Sequence, residues 1–192
     1  MKKIAKYLVA FLIFSACKFA FAQSTGIGVS AGVGLPYITQ IGVDYHLNGI
    51  FSAHFNYNSL DLSIDSAKLK LTMPELLVYV HPFGGSFFVG GGIGQETLKS
   101  TAKDSTTNLE ASIEVKAMTT IIKTGWVWGV DDGGFFGGLD YSHIMPSGAS
   151  STITAPGVPT TSKEYQDAVD AADKFGSTSY GNLTFIKIGY IF

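Results

Sequence analysis

The chain has one cysteine, Cys17, and it lies within the first 22 of 192 residues. Disulfides, thiolate catalysis and cysteine-ligated metal sites are therefore excluded for residues 23–192. Arginine is absent altogether, and residues 23–192 carry nine lysines against 15 acidic residues. The resulting formal charge of −6 disfavours a nucleic-acid partner.

Long apolar runs are also missing after residue 22, where no stretch approaches the ~20 residues of a transmembrane helix. Residues 1–22 begin with lysines, continue with a short apolar run and end on Ala20-Phe21-Ala22. This pattern predicts a secretory signal peptide that is cleaved before Gln23, leaving one domain over residues 23–192. Two alternatives stay open: a membrane anchor, and a lipoprotein signal ending at Cys17.

Residues 23–192 contain repeated alternation of apolar and small or polar side chains. In residues 25–35, for example, Ile27, Val29 and Val33 share one face and glycines occupy the other. Such a period of two is typical of β-strands. It recurs in eight segments: residues 25–35, 40–47, 50–58, 68–81, 86–99, 109–129, 134–145 and 183–192.

The connections between these segments alternate in length. Tight turns are predicted near Asn48, Gly84 and Asp132, and longer loops over residues 59–67, 101–108 and 146–178. With apolar faces outward and glycine or charge inward, the pattern predicts an all-β, eight-stranded antiparallel up-and-down transmembrane β-barrel. The alternative is a soluble, lipocalin-type barrel, which would turn its apolar face inward.

The secretory start, the eight alternating segments, the three turns and the aromatic end of the last strand resemble small bacterial outer-membrane barrels, such as OmpA transmembrane domains, OmpX and OmpW. This resemblance implies an outer-membrane location, contact with outer-membrane lipid and no cofactor. It also implies that the barrel assembly machinery recognises the closing strand through Ile188, Tyr190 and Phe192.

Aromatic residues on the outward faces are expected to form a girdle at the membrane interfaces. Its predicted members are Tyr45, Tyr57, Trp126, Trp128, Tyr141, Tyr190 and Phe192.

Polar residues on the inward faces are the candidate site. They are Asp44, His54, Glu75, Glu96, Lys123, Asp140, Ser142 and Lys187. One interpretation is an ion-pair network that fills the lumen, because an eight-stranded barrel is just wide enough for its side chains. The other is a narrow gated pore, which inward glycines favour unless Phe88, Phe136 and Phe185 fill the space.

The turn after residue 129 also predicts a register, in which Lys123 lies opposite Ser142 and diagonal to Asp140. Ser142 and His143 are adjacent and should therefore point to opposite faces, which argues against a serine hydrolase that deacylates lipid A. The four histidines have no metal-ligand spacing, so no metal site is predicted.

The loop over residues 146–178 has one ordered piece. Thr161-Ser-Lys-Glu164 has the pattern of a capping box, and Gly176 is a natural helix stop. Apolar residues recur at helical spacing between them, which predicts a short amphipathic helix at the barrel rim. It could cover the mouth, lie on the outer leaflet, meet an extracellular partner or pack on the barrel edge.

The leading function is a structural or narrow-pore barrel, and the alternatives are a surface interaction protein and a lipid-modifying enzyme.

Overall fold

The computed structural model describes residues 25–47, 49–103, 109–130 and 133–192. The predicted signal peptide, Asn48, residues 104–108 and Asp131-Asp132 lie outside the described residues. The described part contains eight strands and one helix: β1 Gly26–Leu35, β2 Thr39–His46, β3 Phe51–Ile64, β4 Ala67–Val80, β5 Phe87–Lys103, β6 Glu110–Trp128, β7 Gly134–Thr154, α1 Lys163–Phe175 and β8 Tyr180–Ile191.

Every strand pairs antiparallel with its neighbour in sequence, and β1 pairs with β8 to close the barrel. The eight-stranded fold predicted from the alternation is confirmed. We call the end that carries the β2–β3, β4–β5 and β6–β7 connections the turn end, and the opposite end the loop end.

The outer face of the strands is mostly apolar, whereas the lumen holds the charged and amide side chains together with a set of buried apolar ones. Large apolar residues are exposed on all eight strands; examples are Ile27, Val29, Val43, Phe55, Leu76, Val78, Ile93, Ile122, Phe135 and Ile188. Charged and amide side chains such as Asp44, Asn56 and Lys123 are buried inside. This orientation is the reverse of the one in a soluble lipocalin-type barrel, and the alternation predicted the correct face for most of the strand residues.

The predicted loop over residues 59–67 is wrong. β3 continues to Ile64 and β4 begins at Ala67, so the connection is the two-residue turn Asp65-Ser66. The polar residues that suggested a loop are paired across the hairpin, as Asp61 is with Lys70.

The loop predicted over residues 146–178 is likewise shortened, because β7 extends to Thr154 along β6. Strands β3 to β7 therefore rise above β8, β1 and β2 at the loop end. We call this extension, residues 60–73, 97–103, 110–118 and 146–154, the tall wall.

The inward position predicted for Phe185 is wrong, and a β-bulge in β8 is the reason. The register of β8 shifts by one residue against both neighbouring strands. Against β1 the shift lies between Thr184 and Ile186, and against β7 it lies between Thr184 and Lys187. The bulge reverses the alternation, so Phe185 is 49 % exposed, while Asn182 and Thr184 on the same side of the bulge are buried.

Helix α1 begins one residue later than its capping pattern predicted. Ser162, not Thr161, is the N-cap, and its side chain accepts a hydrogen bond of 3.2 Å from the backbone N–H of Tyr165. Gly176 ends the helix and donates to the carbonyl of Ala172 over 3.1 Å. Among the described residues, no helix is long and apolar enough to cross a membrane.

The helix packs against β6 and β7 at the loop end. Ala172 is buried in that contact, and Phe175 packs against the cluster of apolar side chains inside the barrel. The helix therefore lies over the lumen side of the tall wall, which combines two of the predicted placements: it packs on the barrel edge and covers part of the mouth.

Candidate functional site

The candidate site is the barrel interior, to which all the predicted lumen residues contribute. Each of the eight residues Asp44, His54, Glu75, Glu96, Lys123, Asp140, Ser142 and Lys187 is at most 3 % exposed. The structure brings six of them into two charged clusters and places Glu96 in a third group near the loop end. Ser142 lies opposite Lys123 on the neighbouring strand, in the register that the sequence predicted.

The central cluster is built around Glu75 of β4. The Lys123 ammonium group donates to Glu75 Oε1 over 2.8 Å, and Asp140 Oδ1 lies 3.7 Å from the same ammonium group. Asn56 Nδ2 donates to the same Glu75 oxygen over 2.8 Å, and Gln40 Nε2 lies 3.4 Å from it. Side chains from three other strands, β2, β3 and β6, thus converge on the Glu75 carboxylate of β4. These contacts compensate part of the large cost of removing a charge from water.

A second charged cluster lies around Asp44 of β2. Lys187 donates to Asp44 Oδ1 over 3.0 Å, and His54 Nδ1 bonds the same oxygen through a short contact. On its other side, His54 Nε2 lies 2.7 Å from the Ser52 hydroxyl. A continuous line of hydrogen bonds therefore runs from Lys187 on β8 to Ser52 on β3.

The hydrogen bonds of this cluster connect an acid, an imidazole and a hydroxyl in the way that hydrolytic triads do. The three groups belong to Asp44, His54 and Ser52. Here the hydroxyl is 3 % exposed and has His81 Nε2 3.5 Å away on its free side. Asp44 is also shared with Lys187. Because the hydroxyl has no open face toward a substrate, we interpret the arrangement as part of the lumen packing.

The sequence did not identify this arrangement, although the spacing Ser52-Ala53-His54 places both side chains on one face of a strand and could have found it. The pair that was considered, Ser142 and His143, is split between the lumen and the outer surface as predicted.

Aromatic rings fill the lumen between the charged clusters and the turn end. The Tyr79 ring stacks on His54 at 3.9 Å and on Phe88 at 4.3 Å between ring centroids. A Cβ at Gly90 would collide with the Tyr79 ring, and one at Gly189 would collide with Phe136. These two inward glycines therefore make room for rings and do not leave open space.

Three side chains close the loop end. Tyr37, from the connection between β1 and β2, is 2 % exposed and donates to Glu96 Oε1 over 2.8 Å. Tyr180 at the start of β8 bonds the same carboxylate oxygen, and its hydroxyl lies 2.8 Å from that of Tyr37. Sequence reasoning missed both tyrosines, since Tyr37 lies in a short connection where no strand alternation assigns a face.

Within the described ranges, no group of three histidine, cysteine, aspartate or glutamate residues is arranged to hold a metal ion.

Outside the barrel, six of the seven predicted girdle residues are exposed: Tyr45, Tyr57, Trp128, Tyr141, Tyr190 and Phe192. Trp126 is half-buried and packs on Phe87 with ring centroids 5.5 Å apart. At the turn end, the Tyr190 ring lies 5.1 Å from that of Phe135 and 5.3 Å from that of Phe192.

Charged side chains replace apolar ones on the outer face of the tall wall. Glu114 forms ion pairs with Lys116 at 2.8 Å and Lys99 at 2.9 Å. Hydrogen bonds from Lys116 and Lys99 hold the pKa of the Glu114 carboxyl below its ordinary value. These three residues lie above the exposed apolar side chains that encircle the barrel, which we call the apolar belt.

No family model and no curated protein matches this sequence. Among solved structures, the chain is similar to a major outer membrane protein from Thermus thermophilus, with a TM-score of 0.58 and 13% identity over 88% of this chain and 100% of that one. It also matches Acinetobacter baumannii CarO2 and CarO, with TM-scores of 0.45 and 0.43 and identities of 14% and 13%. These two matches cover 88% of this chain and 99% and 97% of theirs. The similarity to the Thermus protein shows the barrel fold.

Proposed function

We propose that this protein is an integral barrel of a bacterial outer membrane, of the kind represented by OmpA transmembrane domains, OmpX and OmpW, and that its lumen is a sealed, charge-paired core. Its role is then structural, with conduction limited to rare openings of a narrow path. The solved Thermus structure, whose name places that protein in an outer membrane, supports the location.

The belt of exposed apolar side chains supports membrane insertion. Val29, Phe55, Val78 and Ile188 are each about half exposed, although they belong to different strands. In water such a surface would be costly, whereas lipid solvates it and a closed barrel leaves no unpaired strand edge. Aromatic side chains near the turn end, including Trp128 and Tyr190, fit the interfacial girdle of such barrels.

The observation that carries the sealed lumen is the convergence of Lys123, Asn56 and Gln40 on the Glu75 carboxylate. An ion crossing the lumen would have to separate this cluster, and the Tyr79 and Phe88 rings stand in the same path. The charged groups are therefore better described as packing than as the lining of an open pore.

Recording in a planar lipid bilayer tests this proposal. We expect the wild-type protein to show no steady conductance, and Lys123→Ala or Glu75→Ala to raise the frequency of openings because each removes one partner of the central pair. Lys116→Ala on the outer face is the matched control and should behave as wild type. A steady wild-type conductance would contradict the sealed lumen.

A surface interaction role is the second candidate, and the tall wall favours it. The β3–β4 hairpin ends in exposed Leu62 and Ile64 at its tip, and α1 is presented beside it at the loop end. A partner that binds this hairpin would be lost on deletion of residues 60–71, while barrel assembly would persist.

For the closing strand, we infer that Ile188, Tyr190 and Phe192 serve recognition by the barrel assembly machinery. Ile188 and Tyr190 are exposed on one face of β8, and Phe192 is exposed directly after the strand, where another protein can reach them before the barrel meets lipid.

A further inference from the structure

A cavity of about 240 Å³ lies between α1 and the tall wall. The wall contributes Ile113 and Ile153, which are paired across β6 and β7, and the segment after β7 contributes Val158. Tyr165 and Ala168 of α1 form the opposite side. The cavity is therefore formed by the way the helix folds back over the wall.

The cavity lies on the lumen side of the wall. In β6, Ile113 shares its face with Val115 and Ala117, which are both buried inside the barrel mouth. Ligands in this position would be shielded from surrounding lipid and reached from the loop end.

Size and lining define the apolar part of a ligand. Buried apolar cavities of ~150 Å³ stay free of water and bind benzene, and drug-sized sites begin near ~300 Å³. This cavity is partly open to solvent, and its volume of about 240 Å³ accommodates one ring with a short chain. The lining is mostly alanine, isoleucine and valine, so the ligand body should be apolar.

One charged residue, Glu164, contributes to the lining. Its side chain is exposed, and among the described residues it takes part in no salt bridge. The helix carries four acidic residues against two lysines, which adds to the negative potential. A ligand with a positive group beside its apolar body would complement both features.

We propose that this cavity binds a small organic cation with an apolar body, of the arylalkylammonium type, at the loop end of the barrel. The ring occupies the space between Ala168 and Ile153, and the ammonium group pairs with Glu164. This binding function is additional to the proposed role of the barrel and does not depend on whether the lumen conducts.

Binding of 2-phenylethylammonium to the full barrel in lipid nanodiscs tests the proposal, with neutral 2-phenylethanol as the isostere. Ala168→Phe fills the cavity from the helix side and should abolish saturable binding, as seen by calorimetry and saturation-transfer NMR. Ala171→Phe places the same side chain on the exposed face of the same helix and should bind as wild type. Ligand that partitions into lipid is common to both variants and cancels in the comparison.

Ile113→Phe fills the same space from the wall and decides the matter if Ala168→Phe does not fold. Glu164→Gln should weaken the ammonium ligand by roughly two- to fivefold, the range of an exposed ion pair, and leave the alcohol unchanged. Equal binding of the ammonium ion and the alcohol to wild type would overturn the cationic assignment. Wild-type binding by both cavity-filling variants would overturn the site itself.

Discussion

The Lys123 ammonium group lies 2.8 Å from Glu75 Oε1, and both side chains are almost completely buried. They come from β4 and β6, the two strands that flank β5, so the pair bridges the inner side of β5 and ties its two neighbours together. Because neither group reaches water, each depends on the other for its charge to be tolerated.

Breaking this pair should destabilise the barrel more than any exposed ion pair. We expect Lys123→Met to lower the unfolding free energy by about 3–5 kcal/mol, since it leaves a buried carboxylate without its cation. The double variant Lys123→Met/Glu75→Gln should recover much of the loss. Urea unfolding in lipid vesicles, followed by tryptophan fluorescence, measures both.

Lys116→Met is the control for that series, since its ion pair with Glu114 is exposed and should be worth less than about 1 kcal/mol. Equal losses for Lys123→Met and Lys116→Met would contradict a buried structural pair.

The tyrosines at the loop end should control access to the lumen. Tyr37→Phe removes a hydrogen bond to the Glu96 carboxylate, a contact worth about 1.5–3 kcal/mol. Openings in planar-bilayer recordings should become roughly tenfold or more frequent, since ~1.4 kcal/mol corresponds to a factor of ten. Tyr57→Phe, on the outer face, is the comparison variant. Identical traces from the two variants would show that Tyr37 does not close the mouth.

The Ser52 hydroxyl should be unreactive despite its triad-like partners. A fluorophosphonate probe, which labels activated serines, is expected to leave the folded protein unlabelled because the hydroxyl is buried beneath His81. Ser52→Ala serves to identify any label that does appear. Stoichiometric labelling that Ser52→Ala abolishes would establish a hydrolase and refute the packing interpretation.

The glycines that face rings should not accept a methyl group. Gly90→Ala brings a Cβ into the Tyr79 ring and should cost about 1–3 kcal/mol of stability through overpacking. Gly137→Ala has only an ordinary contact of 3.7 Å with the Lys187 carbonyl and is the matched control. Similar unfolding curves for the two variants would indicate that the lumen has free space beside Tyr79.

The faces of most strands could be predicted from sequence because successive residues face lipid and lumen in turn. Lipid favours apolar side chains, whereas the lumen accepts small and charged ones. The alternation around Val29, Phe55 and Val78 was therefore read correctly. It failed at Phe185, where the bulge reverses the alternation and depends on pairing with β1 and β7, which a single strand does not reveal.

Strand ends were harder to predict than strand faces. Two segments, residues 59–64 and 146–154, are polar enough to resemble loops. Above the apolar belt, however, a polar segment can form a strand when an adjacent strand pairs with its backbone. For the same reason the charged members of the lumen were predictable from alternation, whereas Tyr37 was not, since its inward position is set by the fold of a short connection.

The membrane assignment is tested most directly by measuring whether lipid or water surrounds the apolar belt. Because residues 23–192 contain no cysteine, single variants such as Val29→Cys, Phe55→Cys and Ile188→Cys can carry one nitroxide spin label each. In lipid vesicles these labels should be relaxed by oxygen and protected from a water-soluble nickel chelate, while Lys116→Cys should show the opposite. Chelate accessibility at Val29 and Ile188 equal to that at Lys116 would mean that the belt faces water, and the membrane assignment would be wrong.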